Sequence, residues 1–527
     1  MSDAEGRLLR EGGKLSLLTM ISRILGLVRE MTRAAFMGTG VLADAFAAAF
    51  TLPNFLRRLF AEGSMTAAFI PTFTGYLADR DDERAREFLS ATFTVLVVLV
   101  VAVVALGVAF APWLVLIFRS DRAETALLTQ IMFPFLALVS VAALLQGILN
   151  SIGIFTPSGL APILFNICWI VVPYAAGSLF GNPARAMAVG VVIGGLAQAL
   201  CQLPAVLKAG WHFGFISLGR AFRNPGMRRV LALVAPTILG MAAYQINFLV
   251  SSALATGAGT GALSSIQYSL RLQELVLGVF VVSLSTVLLP DLAGSARAER
   301  WDSYSDSLGR GLKAMILVTV PVALFSMVTG TDIVTLLFKA REFGDESVRL
   351  TAAAFFWHMT GLVFIAMNRV MAPAFYACSD TKTPTWAGIV SFGVNILLAL
   401  ILVAPMRGPG IALALSLASA VNTLVLLVVL AHRRIPGVSR ALKAAAAYFF
   451  RIMLFSALAV LPLLLARPWL SSLFPASAPR LVSAGLPLLL STVVFMALGI
   501  GLLALSRDEV AASLVSALRR RGSRGRA

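Results

Sequence analysis

Charge is scarce in this chain. Of 527 residues only 13% are Asp, Glu, Lys or Arg, about half the share carried by a water-soluble domain. By contrast 59% are hydrophobic, and the mean hydropathy is +0.89. No stretch is left over for a sizeable soluble domain, so water is not the main solvent. Cysteine is scarcer still. Cys168, Cys201 and Cys378 lie in or beside apolar segments without metal-ligand spacing, which argues against a disulfide framework or a zinc site. There are three histidines: His212 and His432 lie near connections, and His358 sits in the apolar run Phe355-Phe356-Trp357. No metal motif surrounds them, and no HExxH, GxSxG or paired-carboxylate pattern stands in a supporting context. The expectation is a chain that is not an enzyme, with no catalytic residue and no metal ligand.

Acidic residues are the rarer sign of charge, 25 against 43 Lys and Arg, for a formal net charge of +18. The basic residues do not form one dense patch that would suit a nucleic acid. They are spread over short connections between apolar spans, as in Lys208, Arg220, Arg223, Arg228 and Arg229, or Arg433, Arg434, Arg440 and Lys443, and over the tail Arg519, Arg520, Arg521, Arg524 and Arg526. One set of alternate loops holds most of them, which by the positive-inside rule places both termini in the cytoplasm. Some affinity for anionic lipid headgroups follows, and no nucleic-acid partner. Arg7, Arg10 and Lys14 precede an apolar stretch as in a signal peptide, but Arg23 and Arg29 interrupt it and no cleavage site follows, so it reads as a retained first helix. Gly12-Gly13-Lys14 lacks the first glycine and the final hydroxyl of a phosphate-binding loop. Asp380-Thr381-Lys382-Thr383 has no nucleotide-binding domain beside it, which argues against direct drive by ATP.

Apolar windows of about 20 residues, the length needed to cross a bilayer, recur throughout. They predict an all-α integral membrane protein of about 14 transmembrane helices. The first six windows lie near 15–37, 44–77, 89–118, 124–150, 159–180 and 185–207, and the next six near 230–254, 264–290, 308–329, 348–377, 384–404 and 409–431. A last pair lies near 447–466 and 481–505. The expected division is an N-terminal lobe over 1–220, a C-terminal lobe over 221–440, and a pair of helices with a basic tail over 441–527. A faint repeat supports two six-helix blocks: Phe155-Thr156-Pro157 with Asn166 after it, and Lys382-Thr383-Pro384 with Asn395 after it. Repeating an even number of helices keeps their orientation, so the halves would be related by an axis along the membrane normal, with a substrate site near the midplane.

Charges inside the spans are the informative feature, because an arginine at a helix centre costs about 2.5–3.5 kcal/mol on insertion scales. Arg23, Arg29, Arg33, Arg57, Arg58, Arg271 and Arg369 lie within apolar stretches, against fewer acids: Glu30, Asp44, Glu62 and Glu274. Arg33, Arg58 and Arg369 are near enough to helix ends to snorkel. Arg23 and Arg29 flank Gly26, a candidate bend, and Arg57 follows Pro53 by four residues. Arg271 and Glu274 are three apart on one helical face, and Glu62 follows Arg58 by four, so each carboxylate can hold a guanidinium. A cavity with surplus guanidinium selects anions and matches phosphate oxygens bidentately, which points to a phosphate- or pyrophosphate-bearing substrate.

The segments Ser22-Arg23-Ile24-Leu25-Gly26-Leu27-Val28-Arg29-Glu30, Ala43-Asp44-Ala45-Phe46 and Leu52-Pro53-Asn54-Phe55-Leu56-Arg57-Arg58-Leu59-Phe60-Ala61-Glu62-Gly63 resemble the N-terminal signature of the MurJ (MviN) family. Its members are lipid II flippases of the multidrug/oligosaccharidyl-lipid/polysaccharide exporter superfamily. The likeness extends through Arg271 to Glu274, Leu288-Leu289-Pro290 and Lys382-Thr383-Pro384. It implies two six-helix lobes in a V around a cationic cavity, with two C-terminal helices forming a groove for a polyprenyl tail. It also implies that the arginines matching Arg23, Arg29, Arg57 and Arg271 engage the pyrophosphate of lipid II, the undecaprenyl-pyrophosphate-linked disaccharide pentapeptide, with Ser22, Asp44, Glu62 and Glu274 in the same cavity. Leu270 departs from the pattern, since some members carry an acid there. The expected setting is the bacterial cytoplasmic membrane, among membrane lipids, as a monomer. No cofactor is expected; a sodium or proton gradient or the membrane potential would supply energy, with Asn247, Asn395 and Asn422 as candidate ion ligands. Transport of another polyprenyl-linked oligosaccharide, or of a soluble anion, stays open. An enzyme acting on lipid-linked sugars would need an acid/base or metal constellation that the sequence does not offer.

Overall fold

A computed structural model describes residues 3–59, 68–278, 282–433, 435–474, 479–513 and 516. Among the described residues there are helices and turns and no strand. In chain order the α-helices are α1 (Asp3–Met37), α2 (Val41–Arg57), α3 (Ile70–Ala78), α4 (Asp82–Leu114), α5 (Arg122–Met132), α6 (Pro134–Ser151), α7 (Thr156–Ala176), α8 (Pro183–Lys208) and α9 (Leu218–Arg223). They continue as α10 (Pro225–Gly257), α11 (Ala262–Val276), α12 (Val282–Arg297), α13 (Trp301–Phe338), α14 (Asp345–Ala377), α15 (Lys382–Met406), α16 (Gly408–His432), α17 (Val438–Leu473) and α18 (Leu486–Leu505).

The helices start where the local chemistry permits. Asp81, Asp121, Asn182 and Asn224 each accept a backbone N–H in the first turn of α4, α5, α8 and α10, satisfying donors that the helix itself leaves over. Proline stands in the opening turn of α6, α7, α8, α10 and α16, where its missing N–H costs nothing. Among the described residues ten helical stretches are long and apolar enough to cross a membrane. Among the described residues every expected window lies over helix, with one interruption. Window 124–150 is split at Phe133 because Pro134 cannot continue the hydrogen-bond ladder. Window 44–77 is α2 and α3, with 60–67 outside the described residues, and 264–290 is α11 and α12, with 279–281 outside them. The flanking residues 58–59, 68–69 and 277–278 are wound as π turns, which insert an extra residue per turn and occur often at functional sites.

Packing divides the chain into two compact units, Met1–Ser264 with Ala340–Phe343, and Ser265–Lys339 with Gly344–Ala527. Counting helices puts a boundary at residue 220, whereas α9 packs on α4, and α10 on α2, α3 and α4, so packing keeps both in the first unit. In that unit α8 lies against both α6 and α7, and α1 against α7. Its apolar packing among the described residues includes one cluster with Phe69, Phe73 and Phe88 and another with Phe46, Phe135 and Trp169. In the second unit α16 lies against both α14 and α15, and α13 against α14 and α17. The shared pattern follows the sequence repeat: Thr156 and Lys382 open α7 and α15, and Asn166 and Asn395 are both buried.

Candidate functional site: the arginines of α1, α2 and α11

The first unit assembles a polar cluster on α1 and α7. α1 runs unbroken through Gly26, so Ser22, Arg23, Arg29, Glu30 and Arg33 lie along one continuous helix. Arg29 donates from Nη1 to Asn166 Oδ1 at 3.1 Å and from Nη2 to Glu30 Oε1 at 2.8 Å. Its guanidinium carbon lies 4.4 Å from the centroid of Trp169 and 6.0 Å from that of Phe165. A cation over the negative face of an indole gains about 0.5–2 kcal/mol, the larger figure when desolvated, and the Arg29 side chain is 13% exposed. Asn166 also donates from Nδ2 to the Ser22 carbonyl at 3.1 Å, tying α7 to α1 one residue before Arg23, which is exposed. Glu30 Oε2 lies 3.3 Å from Arg33. Arg33 is therefore a buried member of the cluster instead of snorkelling, because Glu30 reaches both guanidinium groups.

On α2, Arg57 donates from Nε to Asn54 Oδ1 at 3.0 Å and is half-buried, with Pro53 inside the same helix. Asp44 is buried and accepts backbone hydrogen bonds from Gly261 at 2.6 Å and Ser264 at 2.8 Å, so its carboxylate closes the turn that opens α11. Glu62 lies outside the described residues. Of the other in-span arginines, Arg58 is half-buried and Arg369 exposed.

In the second unit Arg271 and Glu274 form the expected pair, Nη1 to Oε2 at 2.7 Å, with side chains 37% and 55% exposed. Leu270 stands beside them half-buried. Among the described residues no group of three or more His, Cys, Asp and Glu is placed to hold a metal ion.

Several polar partnerships escaped the sequence reading because their members are far apart in the chain. Glu124 takes both Nε (3.0 Å) and Nη2 (2.7 Å) of Arg185 as well as Asn182 Nδ2 (2.8 Å). Asp380, in the connection before α15, accepts from the amide (3.0 Å) and hydroxyl (2.6 Å) of Thr383 and pairs with Arg433. Burial pushes that carboxyl up, but the Thr383 bonds and the Arg433 guanidinium outweigh it and hold it below the usual carboxylate range. Asn166 and Trp169 were the residues most open to discovery, since Asn166 already stood out in the repeat.

With ten helical stretches among the described residues long and apolar enough to cross a membrane, this is a polytopic membrane protein. The fold agrees: the solved inward closed conformation of lipid II flippase MurJ matches at a TM-score of 0.77 and 23% identity, over 94% of this chain and 99% of that one. An inward-facing multidrug resistance MATE family transporter of the MOP superfamily matches at 0.65 and 14% identity, over 82% and 98%. Residues 33–483 match the family model described as lipid II flippase MurJ. The probable lipid II flippase MurJ of Treponema pallidum (strain Nichols) is 41% identical across 98% of this chain and 99% of its own. That of Vibrio cholerae serotype O1 is 34% identical across 78% and 81%. The chain belongs to the lipid II flippase MurJ family.

Proposed function

We propose that this protein moves lipid II from the cytoplasmic to the periplasmic leaflet of the bacterial inner membrane, with both termini cytoplasmic and no chemical change to the substrate. The observation that carries the reading is where the family's arginines stand. Arg23 and Arg29 lie on α1, Arg57 on α2 and Arg271 on α11, each inside a stretch that the sequence marks as a membrane window. Charge is costly in a bilayer and is retained there for a polar ligand, and guanidinium forks suit the paired oxygens of a pyrophosphate.

In this reading Arg23, Arg29, Arg57 and Arg271 hold the pyrophosphate, with Ser22, Asp44, Glu62 and Glu274 setting the surrounding polarity. The two lobes alternate access, the polyprenyl tail stays in lipid along 441–527, and the monomer is the working unit. A sodium or proton gradient or the membrane potential drives the cycle, the last worth about 2.3 kcal/mol per charge per 100 mV.

The test is depletion of a cell's own lipid II flippase with this chain supplied in its place, scoring growth and surface exposure of lipid II. Wild type should restore both, while inserted Arg29→Ala and Arg271→Ala variants should restore neither. An inserted, stable wild type that fails to rescue would move the substrate to another polyprenyl-linked glycan.

A further inference from the structure

α11 (Ala262–Val276) carries the Arg271–Glu274 pair, and what those two side chains face depends on the rotation of the helix about its axis. At about 100° per residue, Arg271 and Glu274 point away from the side of α11 that carries Ser269 and Gln273, which are 0% and 2% exposed.

Both buried side chains end on His358 of α14. Ser269 Oγ lies 2.5 Å from His358 Nδ1, and Gln273 Nε2 donates to the His358 carbonyl at 2.5 Å. The Ser269 hydroxyl also reaches the Ile266 carbonyl at 3.0 Å; when it donates there, its oxygen accepts a proton from Nδ1. His358 is 1% exposed, and its Nε2 makes no hydrogen bond among the described residues. The ring is therefore oriented through Ser269. Tyr268 adds an aromatic contact to Phe338 at 5.3 Å.

We propose that His358 is a positioning residue that fixes the rotation of α11 about its axis and so the direction of the Arg271–Glu274 pair. Apolar contacts resist rotation weakly, because one aliphatic face packs much like another. Polar contacts in a bilayer resist it strongly: turning α11 by one residue would strand Ser269, Gln273 and the His358 carbonyl where water cannot replace the lost partners. A buried polar group can specify one arrangement in this way without adding much to stability. The consequence for transport rests on the proposed role of Arg271, whereas the rotational lock does not.

The experiment uses the full chain with Cys168, Cys201 and Cys378 replaced by Ala, and one new cysteine at a time, Gln267→Cys or Ser265→Cys. Gln267 shares the face of Arg271 about one turn earlier, and Ser265 is 1% exposed on the face of Ser269. A charged thiol reagent should label position 267 at least about tenfold faster than 265, the ratio that goes with ~1.4 kcal/mol. His358→Leu should collapse that ratio toward one, and so should Ser269→Ala, with no further loss in the double variant. His358→Asn, which puts an amide N–H near the place of Nδ1, should keep it. An inserted His358→Leu chain that keeps the full ratio overturns the proposal. A collapsed ratio with normal flipping upholds the lock and overturns the role given to Arg271.

Discussion

The carboxylate of Asp44 accepts a hydrogen bond from the backbone N–H of Ser264, 2.8 Å away in space and 220 residues later in the chain. With the second bond from Gly261, one side chain of α2 satisfies two donors at the start of α11, as a capping residue would from within the helix.

Asp44→Asn separates this role from contact with substrate. Asparagine offers one acceptor oxygen, and turns an NH₂ group toward a donor that the carboxylate had satisfied. The variant should lose about 1–2 kcal/mol, seen as a lower midpoint of thermal unfolding in detergent. A variant with an unchanged midpoint but no flipping would place Asp44 on the substrate instead.

Trp169→Phe and Trp169→Leu grade the support of Arg29. Phenylalanine keeps a weaker aromatic face under the guanidinium and leucine keeps none. Flipping should therefore fall from Trp to Phe to Leu, with the loss largest at limiting lipid II. Equal activity in Phe and Leu variants of matched stability would mean that only the volume of the side chain matters. Asn166→Leu should be the more damaging change, since it removes the bonds to both Arg29 and the Ser22 carbonyl.

The helical plan was legible because a run of about 20 apolar residues is a local signal that no tertiary contact needs to complete. Arg271 with Glu274 was legible for the same reason, both partners lying on one helical face. Local rules failed where the partner is remote: Asn166 is 137 residues from Arg29, and nothing near Asp44 names Gly261 or Ser264. They also failed at Arg33, whose place near a helix end suggested snorkelling until Glu30 was seen to reach it.

Acid should expose the Asp380–Arg433 pair. The folded carboxyl titrates below its ordinary value, so its contribution is complete above about pH 5 and fades as pH falls through the ordinary carboxylate value near 3.9 toward the folded one. Asp380→Asn should therefore be less stable than wild type at pH 7, by about 0.5–1 kcal/mol. The gap should narrow below about pH 4. Denaturant titrations of both proteins at pH 7 and pH 3.5 test this, and a gap that widens in acid would show that the pair does not work through its charge.

Gly361 tests how closely α14 and α16 must approach. A Cβ added there would lie 2.6 Å from Ser416 Oγ and 2.8 Å from both Cβ and Cα of Ser416. Small residues let membrane helices meet at backbone distance, where van der Waals contact replaces the missing hydrophobic drive. Gly361→Ala should cost about 1–3 kcal/mol and stretch the 2.7 Å bond from Ser416 Oγ to the Trp357 carbonyl. Gly393→Ala, with no atom within 4 Å of the new Cβ, is the control and should be close to neutral. Trimming the partner discriminates further. Ser416→Ala removes the hydroxyl but leaves the Cα and Cβ contacts, so it should not rescue Gly361→Ala. Full rescue would mean that the hydroxyl alone is crowded and that the two backbones can separate at little cost.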